Sequence, residues 1–94
     1  MSSFAFNLKT MSQIKVYTTE YCPYCDMAKR FLNHQGLTFE EIDVTDEDEK
    51  AKLKAKTGWR TVPQIFIDEE LIGGYQEMMA LHATGDLDRK LKKS

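Results

Sequence analysis

The stretch IKVYTTEYCPYCDMAKRFL, residues 14–32, decides the fold. Its first part, Ile14 to Thr18, alternates and is rich in β-forming residues, which predicts a strand. From Pro23 the period changes: Met27, Ala28, Phe31 and Leu32 recur at helical spacing. Pro23 suits the first turn of a helix and Gly36 its C-terminal cap, so the segment between them reads as a helix of about three turns. Both cysteines of the chain, Cys22 and Cys25, fall at this strand-to-helix junction.

Working outward, Thr38 to Val44 reads as a second strand. Residues 46–56 read as a charged surface helix ending at Thr57-Gly58, with acids at its start and lysines at its end to match the helix dipole. Gln64 to Ile67 and Leu71 to Gly73, separated by Asp68-Glu69-Glu70, fit two short antiparallel strands. Tyr75, Met78, Met79 and His82 recur at helical intervals up to Gly85, with the two methionines facing the core, and a last helix carries Leu87 and Leu91. The order is β-α-β-α-β-β-α followed by a C-terminal helix. The first two strands, joined through a helix, should be parallel.

Ninety-four residues, 41% of them hydrophobic and 30% charged, describe one small globular domain. A net charge of -2 gives no global attraction for phosphate, which argues against a nucleic-acid role. No apolar run approaches the roughly 18 residues of a membrane span, and residues 1–9 lack the features of a secretory signal. The expected domain is residues 11–94, with residues 1–10 as an N-terminal extension outside the fold. Two cysteines in one short motif, rather than many spread over loops, favour a reducing compartment, hence a cytoplasmic protein.

Cys-x-x-Cys at a helix start points to thiol-disulfide chemistry. Residues three apart on a helix lie beside each other, so the two sulfurs can bond with little backbone movement. With Cys22 as N-cap, the unpaired amides of the first turn, those of Tyr24 and Cys25, point back at its sulfur. An unperturbed thiol, with a pKa of about 8.5, is only ~3% thiolate at pH 7. A helix end is worth at most about 2 kcal/mol, which raises that fraction to about half. Cys22 is therefore read as the attacking thiolate, and Cys25, one turn in, as the resolving thiol. Two bland readings compete. Zinc would need two further donors, for which the chain offers only His34 and His82, and a pair of buried structural thiols would not explain the proline between them.

Cys22-Pro23-Tyr24-Cys25, then Thr61-Val62-Pro63 before a strand, then Gly73-Gly74 before a helix, together resemble the dithiol, bacterial-like glutaredoxins, over residues 14 to about 91. The resemblance implies a thioredoxin-like α/β fold, a four-stranded mixed sheet flanked by helices. It also implies glutathione-dependent reduction of protein disulfides and glutathione mixed disulfides by a monomer, with glutathione as co-substrate and no metal or nucleotide. It further implies a cis bond at Val62-Pro63, leaving the Val62 backbone free to pair with the cysteinyl part of glutathione. The helix start after Gly74 offers amides to the γ-glutamyl carboxylate. Tyr24 is expected as one wall and Tyr75 as a border, while Trp59 reads as a packing residue. The chain departs from the family pattern twice. Thr19 stands where a lysine is common, which leaves Lys50 or Arg60 to meet the glycyl carboxylate, and Gln76 stands where an acid commonly meets the γ-glutamyl ammonium. The rival reading is a dimer in which Cys22 and glutathione hold an iron-sulfur cluster, against which Pro23-Tyr24 argues.

Overall fold

The computed structural model describes residues 12–91, so the expectation for residues 1–10 lies outside the described residues. Eight elements follow in the expected order: β1 (Ile14–Thr18), α1 (Pro23–His34), β2 (Glu40–Asp43), α2 (Glu47–Thr57), β3 (Gln64–Ile67), β4 (Glu70–Gly73), α3 (Tyr75–Thr84) and α4 (Asp86–Leu91). The strands form one mixed sheet in the order β2-β1-β3-β4. β1 runs parallel to β2 and antiparallel to β3, and β3 is antiparallel to β4.

β1 alternates because its two faces meet different layers. Ile14, Val16 and Thr18 are buried on one face. Ile14 and Val16 join Ile65, Ala28 and Leu32 of α1, Met78 of α3, and Leu87 and Leu91 of α4 in one core. Burying each aliphatic side chain there contributes about 1.5 to 3 kcal/mol, which sets α1 firmly on the sheet. On the opposite face Tyr17 meets Phe66 edge-on, with ring centroids 5.5 Å apart. Lys15, Tyr17 and Phe66 border α2 at Leu53, Lys56 and Thr57.

Several boundaries differ from the sequence reading; the charged helix, for one, runs Glu47–Thr57 rather than 46–56, with Asp46 as its N-cap. The second strand is Glu40–Asp43 rather than Thr38 to Val44, because its register with β1 begins at Lys15↔Glu40 and ends at Thr18↔Asp43, where β1 itself ends. Glu70 belongs to β4 rather than to the preceding turn. Asp68 and Glu69 alone make that turn, both with positive φ, as a tight two-residue hairpin requires.

Candidate active site

β1 ends at Thr18 and delivers the chain to Cys22 at the mouth of α1. Cys22 is the N-cap in extended conformation, and Pro23 opens the helix, where its missing N–H costs nothing. The Cys25 amide donates to Cys22 Sγ at 3.1 Å. The two cysteines are joined in a disulfide, with Cα atoms 5.1 Å apart. Their surroundings differ sharply: Cys22 is half-buried, whereas Cys25 is 1% exposed on the buried side of α1 beside Ala28. An incoming group can therefore reach the first sulfur and not the second.

The Val62-Pro63 peptide is cis. The Val62 carbonyl oxygen lies 3.9 Å from Cys22 Sγ, across 40 positions of sequence. Pro63 is buried and Gln64 behind it is fully so, and Gln64 Nε2 donates to the Trp59 carbonyl at 2.9 Å, tying the loop before β3 to its strand.

A cavity of about 320 Å³ opens in front of this loop, lined by Tyr24, Trp59, Thr61, Val62, Pro63, Gly74, Tyr75, Gln76 and Glu77. It lies between three chain segments that the sequence reading singled out separately. The Tyr24 and Tyr75 rings stand 6.1 Å apart along one side. At the start of α3, Glu77 Oε1 accepts the Gly74 amide at 2.9 Å. Gly73 has φ +121, and a Cβ there would stand 2.9 Å from Glu77 Cγ and 3.2 Å from Trp59 Cη2, so glycine is required by both backbone and neighbours.

The sites expected from sequence thus divide. Tyr24, Thr61, Val62, Pro63, Gly74, Tyr75 and Gln76 share the cavity, with Cys22 beside Val62. Lys50 and Arg60 do not line it; Lys50 faces Glu47 on its own helix, Nζ to Oε2 3.5 Å, and Arg60 is exposed. Two lining residues were not expected. Trp59 is part of the wall, and Glu77 carries a carboxylate into it. The spacing Gly74-x-x-Glu77, a capping pair at a helix start, is the signal by which Glu77 could have been found. His34 and His82 are exposed and line no part of the cavity; the His82 ring packs edge-on against Phe31 at 4.9 Å.

The glutaredoxin family pattern matches residues 14–72. The chain is 43% identical over 83 residues to glutaredoxin 3 of Escherichia coli K12, covering 87% of this chain and 100% of that one. It belongs to the glutaredoxin family. A glutaredoxin of Pseudomonas aeruginosa PAO1 is likewise 43% identical over 82 residues, covering 86% of this chain and 98% of that one. Among solved structures, a buckwheat glutaredoxin-glutathione complex superposes with a TM-score of 0.77 at 31% identity, covering 96% of this chain and 86% of that one. Glutaredoxin from Brucella melitensis gives 0.76 at 36% identity, covering 89% and 91%. The thioredoxin-like fold implied by the three motifs is borne out, and the chain is a thiol-disulfide oxidoreductase.

Proposed function

We propose that this glutaredoxin reduces protein disulfides and glutathione mixed disulfides at Cys22, taking its electrons from glutathione. The observation that carries this reading is the half-buried Cys22 sulfur, capped by the Cys25 amide and set beside the Val62 carbonyl.

In the first half-reaction Cys22 thiolate attacks the glutathionyl sulfur of a mixed disulfide. A Cys22–glutathione disulfide forms, the substrate disulfide breaks, and the substrate thiolate leaves and takes a proton. A second glutathione thiolate then attacks the bound glutathionyl sulfur, which forms glutathione disulfide and returns Cys22 thiolate. On a protein disulfide, Cys22 thiolate instead attacks one sulfur; a mixed disulfide with that cysteine forms, the substrate disulfide breaks, and the other substrate cysteine leaves as thiolate and takes a proton. Cys25 thiolate attacks the Cys22 sulfur and releases the second substrate thiol, leaving the Cys22–Cys25 disulfide that the structure holds. One glutathione thiolate then attacks Cys22 and frees Cys25, and a second attacks the bound glutathionyl sulfur, which restores the dithiol and releases glutathione disulfide. A helix-capped sulfur serves both steps, because a stabilised thiolate is a good leaving group as well as an abundant nucleophile.

The Val62 backbone is assigned to the cysteinyl part of glutathione, and the amides at the start of α3 to the γ-glutamyl carboxylate, with Tyr24, Thr61, Pro63, Gly74, Tyr75 and Gln76 around them. Lys50 and Arg60 stand outside this wall and are left with the glycyl carboxylate only at its outer end. The protein is assigned to the cytoplasm as a monomer. Among the described residues no helix is long and apolar enough to cross a membrane.

Replacing the cysteines one at a time tests the assignment. Cys22→Ser keeps a good N-cap and should abolish both activities, by more than about a thousandfold, while the protein stays folded. Cys25→Ser should keep deglutathionylation within a few-fold and lose protein-disulfide reduction. A coupled assay with glutathione and its reductase reads both. Activity that survives Cys22→Ser and dies with Cys25→Ser would invert the two roles.

A further inference from the structure

Among the described residues three large apolar side chains stand exposed: Tyr21 at 97%, Tyr24 at 50% and Met27 at 39%. All three lie in the same short stretch around the reactive disulfide. Tyr24 and Met27 are one turn apart on α1 and so share its outer face. Tyr21 immediately precedes Cys22 and has φ +53. A bulky residue in this left-handed region is an outlier, and such positions gather at functional sites. The two other non-glycine residues with positive φ, Asp68 and Glu69, are explained by their hairpin turn. Tyr21 has no such reason, and its ring gains nothing from the fold because it stands in water.

We propose that Tyr21 and Met27 form the docking ridge for the protein half of a disulfide substrate, and that they select segments with an apolar side chain beside the attacked cysteine. This rests on the reading above that Cys22 is the attacking sulfur and that the glutathionyl half of a mixed disulfide occupies the cavity. That cavity includes Tyr24 but neither Tyr21 nor Met27. A disulfide held in line with Cys22 has two halves. One enters the cavity, and the other leaves it past Cys22, where Tyr21 and Met27 flank the sulfur in sequence and stand exposed. A small leaving thiol covers neither residue, whereas a polypeptide covers both. The recognised chemistry is apolar rather than charged, because Lys29 is taken up by its acidic neighbours and the exposed Glu20 and Arg30 are of opposite sign, so neither sign dominates beside the pair. Lys29 Nζ lies 2.8 Å from Glu41 Oε2 and 3.9 Å from Asp26 Oδ1. Tyrosine is also a side chain that concentrates binding energy at interfaces, since it offers a large area with few rotors.

The test uses three glutathione mixed disulfides: that of 2-mercaptoethanol, that of a peptide with leucine on both sides of its cysteine, and that of the same peptide with serine there. The wild type should prefer the leucine peptide to the serine peptide in kcat/KM by about five- to tenfold, the scale of one well-covered apolar contact. In Tyr21→Asn with Met27→Gln the preference should fall to within about twofold, with turnover of the 2-mercaptoethanol substrate unchanged. Asparagine accepts the left-handed backbone and glutamine the helix, so both variants keep the fold. A preference that persists in the double variant, or is absent from the wild type, overturns the proposal. Equal losses on all three substrates would move Tyr21 and Met27 to the glutathione side and overturn it as well. A wild type that turns over none of the three with glutathione would instead bring down the functional reading on which the proposal rests.

Discussion

Helices α1 and α2 begin with the same device made from different atoms. At α1 the Cys22 sulfur accepts the Cys25 amide at 3.1 Å, and at α2 an Asp46 carboxylate oxygen accepts the Glu49 amide, also at 3.1 Å. α2 adds Glu47, Asp48 and Glu49 to its first turn and Lys54 and Lys56 to its last, and it buries only Leu53. It is a helix stabilised by its own ends. α1 has one acid in its first turn, Asp26, but buries Cys25, Ala28 and Leu32. Because packing holds α1 in place, its N-terminus is free for chemistry: the amide that a carboxylate occupies in α2 is available in α1 to stabilise a charged sulfur that reacts.

The comparison breaks most visibly at ionisation. In the reduced protein the Cys22 thiol should titrate below the ordinary value of about 8.5, since amides and helix dipole both favour its charged form. Cys25, buried in apolar surroundings, should not. Alkylation rates followed against pH, with mass spectrometry to assign the cysteine, read both thiols in one experiment. An ordinary alkaline midpoint at Cys22 would mean that the sulfur caps the helix without being charged by it.

The α2 cap gives the middle-sized effect. Asp46→Ala removes an N-cap carboxylate and should cost about 1 kcal/mol, a fall in Tm of about 4 to 8 °C for a domain this size, with turnover unchanged. Thermal unfolding beside the coupled assay checks both. Lost activity at unchanged Tm would show that the start of α2 takes part in the site itself, beyond any contact of Lys50 with the outer end of glutathione.

The two helices also show which features a sequence reveals. Strand β1, α1 and the ends of α2 were legible because alternation, helical spacing and capping residues are local signals, and Asp46 and Gly58 stand where those signals put the ends of the charged helix. The length of β2 was not, because it is set by where its partner β1 stops, and Thr38 to Val44 carries no mark of that. The cavity residues expected from sequence came from three motifs in the order that the glutaredoxin family carries them. Trp59 escaped because an indole beside a loop looks like packing until the fold sets it against Gly73, where even an added Cβ would crowd it. Lys50 and Arg60 were chosen for their charge, and the cavity wall described here stops short of both. Tyr21 gives no sign in the sequence of the positive φ that holds it out.

The smallest effect separates amides from side chains as the source of the field at Cys22. Lys29 is one turn beyond Cys25 and is the nearest cation along α1 in sequence. Its hydrogen bond to Glu41, helped by that of Thr18 at 2.8 Å, holds the Glu41 carboxyl below the usual glutamate range. A depressed carboxylate contributes stability that is fully present above its unfolded pKa and is lost as pH falls through its lowered folded value. The wild type should therefore lose more stability than Glu41→Gln on acidification below about pH 4.5, so that their difference, already modest at neutral pH for so exposed a pair, shrinks. Urea unfolding at several pH values measures this. Glu41→Gln also removes the nearer carboxylate beside Lys29, leaving Asp26 at 3.9 Å. If backbone amides hold the Cys22 thiolate, its midpoint should move by less than about 0.3 units, under about 0.5 kcal/mol. A clear further drop would assign part of the field to Lys29, and the contrast between a sulfur cap and a carboxylate cap would then describe only part of what makes α1 reactive.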